Sequence, residues 1–121
     1  MKASWITIYV KDMEESLKFY TEIIGLEIAH RSSPQEGMDI AFLNAGGIQV
    51  ELICDSNKSE ISIGNDVSLG FTVQSLESTI EELKEKGVNS IIGPIKPIPQ
   101  ISFIFIFDPN GFKIQLAELN K

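Results

Sequence analysis

Tyr9-Val10-Lys11-Asp12-Met13-Glu14, near the start of the chain, has a counterpart in the second half, Thr72-Val73-Gln74-Ser75-Leu76-Glu77. Each stretch leaves a segment of strand-forming residues, meets a residue that favours helix N-caps, and enters an amphipathic run. In the first half, residues 5–10 read as a strand. Asp12 is the candidate N-cap, with Glu15 three residues on to complete a capping box. Met13, Leu17, Tyr20 and Ile24 follow at helical spacing, and Gly25 supplies the stop. In the second half, residues 67–73 read as the strand and Ser75 as the cap. Leu76, Ile80 and Leu83 form one helical face, and Gly87 ends it.

The halves agree again further along. Gly47-Ile48-Gln49-Val50-Glu51-Leu52 aligns with Gly111-Phe112-Lys113-Ile114-Gln115-Leu116, a glycine turn running into a strand in both cases. The other strands are predicted at 26–31, 38–43 and 48–54, then at 88–92, 100–107 and 112–118. Asp108-Pro109-Asn110-Gly111 is a turn signal. Residues 32–37 and 93–99, the latter with three prolines, are expected loops, and the sequence does not say whether they close a cavity. Residues 55–66 are polar and read as a linker. The expectation is one α+β domain over 1–121. It consists of two βαβββ repeats, at about 4–54 and 67–118, forming a cupped mixed sheet with helices on its convex side. Identity between the halves is low, so the repeat rests on pattern.

Composition narrows the function classes. A chain of 121 residues suits one domain with a real core. The net charge of −7 argues against nucleic acid, which calls for clustered Lys and Arg. Cys54 is the one cysteine, so no internal disulfide forms. No apolar run reaches membrane-spanning length, and the start runs into a strand pattern without a signal core. A cytoplasmic protein with no membrane partner is expected.

Period-two alternation assigns faces. Ile6, Ile8 and Val10 should meet the helices, leaving Trp5, Thr7 and Tyr9 on the other face. Val50, Leu52 and Cys54 should face the helices, and Gln49, Glu51 and Ile53 the other way. In the second half Ser68, Gly70 and Thr72, with Lys113, Gln115 and Ala117, take that other face. A merely solvated sheet suits Gln49 and Lys113, but not the large rings of Trp5 and Tyr9. Residues 101–107 are apolar without alternation, which suggests a strand covered on both faces, or one that pairs across chains. The one histidine, His30, is expected as an ordinary strand-end residue, and Cys54 as a buried thiol.

Ile6-Thr7-Ile8-Tyr9-Val10-Lys11-Asp12, then Ser16-Leu17-Lys18-Phe19-Tyr20 and Gly25-Leu26, and finally Asp108-Pro109-Asn110-Gly111-Phe112-Lys113-Ile114-Gln115-Leu116 carry a resemblance. The chain resembles the glyoxalase/bleomycin-resistance members of the vicinal oxygen chelate superfamily over nearly its whole length. The resemblance implies a small-molecule site in the concave face of the sheet, and a homodimer. In metal-using relatives it implies one ligand on each of four strands. Carried over, those positions are Trp5, Glu51, Ser68 and Gln115, of which only Glu51 is a strong ligand.

The candidate ligand-binding residues are therefore Trp5, Thr7, Tyr9, Glu51, Ser68, Thr72 and Gln115. Glu51 has three open readings: a capture point for a cationic ligand, a solvated strand residue, or a catalytic general base. Three functions stay open with it. One is a metal-free small-molecule-binding, drug-sequestering protein, with no cofactor. The second is a lactoylglutathione-lyase-type lyase or isomerase with an atypical divalent metal site built on Glu51 and Gln115. The third is a dimer with a structural or regulatory role.

Overall fold

The Asp12 backbone is extended (φ −141°, ψ 117°), and its carboxylate accepts the Glu15 N–H at 2.9 Å. That bond satisfies one of the free donors at the start of helix α1 (Met13–Lys18). The helix then widens into a π-helical segment (Phe19–Ile23), where the Ile24 N–H reaches back five residues to the Phe19 carbonyl at 3.1 Å. Gly25, with φ +91°, turns the chain out of it. Helix α2 (Leu76–Glu85) begins in the same way. Ser75 is extended and its hydroxyl accepts the Ser78 N–H at 3.2 Å. A second acceptor comes from a strand: the Glu118 carboxylate takes the Leu76 N–H at 2.7 Å.

These data come from a computed structural model that describes residues 1–120. The chain forms two compact units, one from Met1 to Ile63 and one starting at Gly64. The first holds β1 (Trp5–Tyr9), α1, β2 (Glu27–Ser32), β3 (Met38–Asn44) and β4 (Gln49–Asp55), with strand order β1-β4-β3-β2. The second holds β5 (Ser68–Thr72), α2, β6 (Ile92–Ile98), β7 (Ile101–Phe107) and β8 (Lys113–Leu119), in the order β5-β8-β7-β6. In each unit the first and last strands pair in parallel and the other pairs are antiparallel. This is the expected α+β fold of two βαβββ repeats. Hydrogen bonding forms two four-stranded mixed sheets, one per repeat.

Alternation sorts the faces as predicted. Ile8, Val10, Ala41, Leu43, Val50 and Leu52 are buried, with Met13, Leu17 and Tyr20 of the helical segment, and α1 lies against β4. In the second unit Ile104, Ile106, Ile114 and Leu116 are buried with Leu76 and Leu83, and α2 lies against β8. The β7–β8 turn is held by the buried Asp108, whose Oδ1 accepts the N–H groups of Asn110 and Phe112, both at 2.8 Å.

Three expectations are corrected. Residues 93–99 are not a loop, because residues 92–98 form β6, and residues 88–91 lie outside any strand. Prolines mislead here because β6 is an edge strand, where a missing N–H costs no ladder bond on the open side. Its ladder with β7 touches only at Ile92↔Phe105, Ile95↔Phe103 and Ile98↔Ile101. At Gly93 (φ +112°) a Cβ would lie 3.0 Å from the Phe103 carbonyl oxygen. Residues 101–107 do alternate in burial: Ile104 and Ile106 are buried, whereas Ile101, Phe103 and Phe105 are half-buried and Phe107 is exposed. Cys54 is half-buried rather than buried, its thiol 3.6 Å from the Lys11 carbonyl oxygen.

Candidate functional site

Each sheet has one face turned away from its helix, and ladder register fixes what stands there. In the first unit Thr7 pairs with Glu51, Glu51 with Phe42, and Phe42 with His30. The four form one row across β1, β4, β3 and β2. The Thr7 hydroxyl donates to Glu51 Oε1 at 2.6 Å, which pins the carboxylate and leaves its second oxygen for another partner. One row along, Trp5 stands against Gln49, and its indole meets the Phe42 ring edge-on with centroids 6.2 Å apart. Trp5 keeps 59% of its surface exposed and Tyr9 keeps 37%. Thus Trp5, Thr7, Tyr9 and Glu51 share one face with Phe42, and ladder register puts Glu27, opposite Asn44, on that face as well.

Tyr9 also borders a cavity of about 690 Å³. Its other walls include Lys11, Asp55 and residues 58–62 of the segment expected as a linker. The Lys58 ammonium lies 5.2 Å from the centre of the Tyr9 ring, a cation–π distance.

In the second unit the matching row is Gly70, Gln115, Phe105 and Ile92. Ser68 stands against Lys113 and Thr72 against Ala117. Ser68 and Thr72 are exposed, Gln115 is half-buried and Ala117 is buried. Phe103 and Phe105 meet edge to face at 5.4 Å, and the Lys113 ammonium lies 5.1 Å from the centre of the Phe105 ring. So Ser68, Thr72 and Gln115 share the open face of their own sheet.

Sequence reasoning passed over Phe42, Phe103, Phe105 and His30 on these faces. Phe42 lies in an unbroken apolar run, Ile40-Ala41-Phe42-Leu43, whose letters do not mark a face. For His30 no local signal existed, because its facing depends on a bulge in β2.

The donor chemistry of the four inferred ligand positions is thin. An indole offers only an N–H donor, a serine hydroxyl is a poor metal ligand, and a glutamine offers one neutral carbonyl. Glu51 alone brings a carboxylate, and Thr7 already engages one of its oxygens. Among the described residues no three His, Cys, Asp or Glu side chains cluster in a way that could hold a metal ion. Nor, among them, is any helix long and apolar enough to cross a membrane.

Comparison with known proteins places the chain in a family. A chloroplastic Arabidopsis thaliana protein, named as a lactoylglutathione lyase, is 33% identical over 117 residues. The match covers 90% of this chain and 33% of that protein, so the chain spans about a third of the plant relative's length. A lactoylglutathione lyase of Salmonella typhimurium is 27% identical over 117 residues, covering 90% of this chain and 86% of its own length. Among solved structures, TnmS3, an antibiotic binding protein from Streptomyces, aligns with a TM-score of 0.76 at 21% identity. That alignment covers 99% of this chain and 97% of TnmS3, and at such identity the likeness is one of fold. A family model matches residues 2–116, nearly all of the two repeats, and so the chain belongs to the Glyoxalase/Bleomycin resistance protein/Dioxygenase superfamily.

Proposed function

We propose that the protein binds a flat, cationic or neutral small molecule on the open faces of its sheets and works without a resident metal. The observation that carries this is Trp5. It occupies an inferred ligand position with a side chain that cannot coordinate, and it presents most of its indole to solvent beside Phe42 and Glu51. The donor set does not fit a resident transition metal, for which three or more His, Cys or carboxylate groups are the rule. It does fit stacking plus charge capture: the rings supply polarisable area and Glu51 one negative charge held in place by Thr7. The open face of the second sheet offers Ser68, Thr72 and Gln115 as hydrogen-bonding groups of its own, and no proton transfer is assigned to Glu51. The antibiotic-binding TnmS3 supports a sequestering role, and the lyase names of the relatives define the competing reading. Exposed Ile92, Ile95, Ile98 and Leu119 support a homodimer, which sedimentation would register as twice the chain mass.

The test has two arms. The untagged protein is incubated with nickel, zinc, manganese or ferrous iron, desalted and analysed for metal, with Glu51→Gln as control. It is then titrated with proflavine, a planar aromatic cation, by calorimetry. Substoichiometric metal together with proflavine binding that weakens in Glu51→Gln is expected. One equivalent of metal, lost in Glu51→Gln, would overturn the metal-free reading and favour the lyase.

A further inference from the structure

Strand β2 carries the one histidine of the sequence. Its ladder with β3 steps from Ile28↔Leu43 to His30↔Phe42, then Arg31↔Ala41 and Ser32↔Ile40. Ala29 is thus an extra residue, so two residues of β2 stand against one of β3. Because side chains alternate with period two, such a bulge reverses the facing of every residue beyond it. Without it, His30 would stand against Ala41, which is fully buried on the helix side. With it, His30 joins the row of Phe42, Glu51 and Thr7.

The bulged register is held by a second, independent contact. Arg31 Nε donates to Asp39 Oδ1 at 3.2 Å and Nη2 donates to Oδ2 at 2.8 Å. Nη2 also donates to Glu14 of α1 at 2.7 Å. This fork needs Arg31 on the helix side, and Arg31 can be there only if its neighbour His30 faces away. Removing the bulge would therefore break the ion pairs with both Asp39 and Glu14. Bulges that re-aim a side chain in this way are enriched beside binding sites.

We propose that His30 is a ligand-contacting residue. On this assignment the row Thr7–Glu51–Phe42–His30 recognises a flat ligand with a cationic group at one end and an anionic or hydrogen-bond-accepting group at the other. The inference rests on the binding reading above and names the ligand class for that face. Glu51 on β4 and His30 on β2 are two strand spacings apart, about 9.6 Å at roughly 4.8 Å per spacing. Phe42 lies between them in the row and Trp5 beside it, so the middle of the span is aromatic. Two linked aromatic rings fill such a span. Within the row the Thr7 hydroxyl already donates to Glu51, which leaves the imidazole of His30 as the group able to donate to an acceptor; Glu27, opposite Asn44, adds negative charge to the same face.

The test uses two probes. One is a biphenyl with an aminomethyl group at one end and a carboxylate at the other; the second is the same amine without the carboxylate. Binding is measured by calorimetry to wild type, His30→Ala and Glu51→Gln. His30 is exposed on an edge strand, so the fold of His30→Ala is expected to persist, as circular dichroism would show. Expected are a loss of about tenfold for the zwitterionic probe in His30→Ala, no change for the plain amine, and losses for both in Glu51→Gln. Equal effects of His30→Ala on the two probes, or no effect on either, would overturn the assignment of His30 and leave the binding reading intact. Failure of wild type to bind either probe would overturn both. A nuclear Overhauser contact between the His30 and Phe42 rings is expected without ligand, and its absence would refute the bulged register.

Discussion

Replacing Trp5 with alanine separates what its indole does for the fold from what it does for a ligand. A tryptophan presents roughly 250 Å². With 59% of its surface exposed, about 150 Å² remains for a ligand and about 100 Å² is already covered. A flat ligand lying on one side of the ring covers roughly half of the free area. At about 25 cal/mol per Å², that contributes about 2 kcal/mol, or about 25-fold in Kd. Losing the covered part costs stability of similar size, about 2 kcal/mol, once the compactness of the unfolded chain is allowed for. For a chain of this length that lowers Tm by about 8 °C, and the protein stays folded at room temperature. Trp5 is the sole tryptophan, so its emission in wild type reports the contact directly. Proflavine should quench it along the same curve that calorimetry gives for binding. Calorimetry on Trp5→Ala should then show about 25-fold weaker binding, while Trp5→Phe retains part of it. Binding of proflavine to Trp5→Ala with unchanged affinity, or binding to wild type with no change in emission, would refute the placement of the ligand on this ring.

Other substitutions test single contacts. The Arg31 guanidinium beside Asp39 holds the Asp39 carboxyl below its ordinary value of 3.8, so the pair's stabilisation is present above that value and is lost as pH falls through the lower folded one. Asp39→Asn should be less stable by about 0.5–1 kcal/mol near neutrality, a surface-pair magnitude, and urea melts should show the gap closing only below the ordinary carboxylate range. Glu118→Ala leaves the Leu76 N–H at the start of α2 without its 2.7 Å acceptor, and should lower stability by about 1.5 kcal/mol in chemical denaturation. Gly70 lacks a positive φ, and a Cβ there would meet only Gln115 Oε1 at 3.5 Å, an ordinary contact. Gly70→Ala should therefore raise Tm by about 2 °C through the unfolded state, and a lower Tm would show that the open face has less room than this geometry gives it.

Legibility in the sequence followed the range of the interaction concerned. Asp12, Ser75, Gly25 and Gly87 act on their immediate neighbours, so helix starts and stops were readable from composition and spacing. The facing of Trp5, Thr7, Tyr9 and Glu51 was readable because β1 and β4 alternate without interruption. Strand β6 was not, since the prolines that argue against a strand are tolerated on an edge, and edge position is set by the other three strands. The facing of His30 was not readable for a related reason. The residue that turns it, Ala29, looks like any strand residue, and the contact that keeps it turned joins Arg31 to Asp39 and Glu14 on other elements.

The two repeats also differ in a way that bears on function. Their helix-side positions keep one chemistry: Ile8 and Leu52 in the first correspond to Phe71 and Leu116 in the second, all apolar, because each must pack on a helix. The open-face positions diverge in kind. The row Thr7–Glu51–Phe42–His30 has as its counterpart Gly70–Gln115–Phe105–Ile92, which shares only the phenylalanine. A face under no demand but solvation would favour polar residues in both repeats and would have no reason to keep a large ring at the same place in each. The shared ring gives each open face an aromatic element of its own, with a charge and an imidazole beside it in the first repeat and an amide and an aliphatic side chain in the second. Exchanging the pair Thr7 and Glu51 for glycine and glutamine, the residues of the second repeat, should therefore preserve the fold while abolishing preference for the cationic probe over a neutral biphenyl. Retained preference would show that the charge selecting the ligand lies elsewhere than on Glu51.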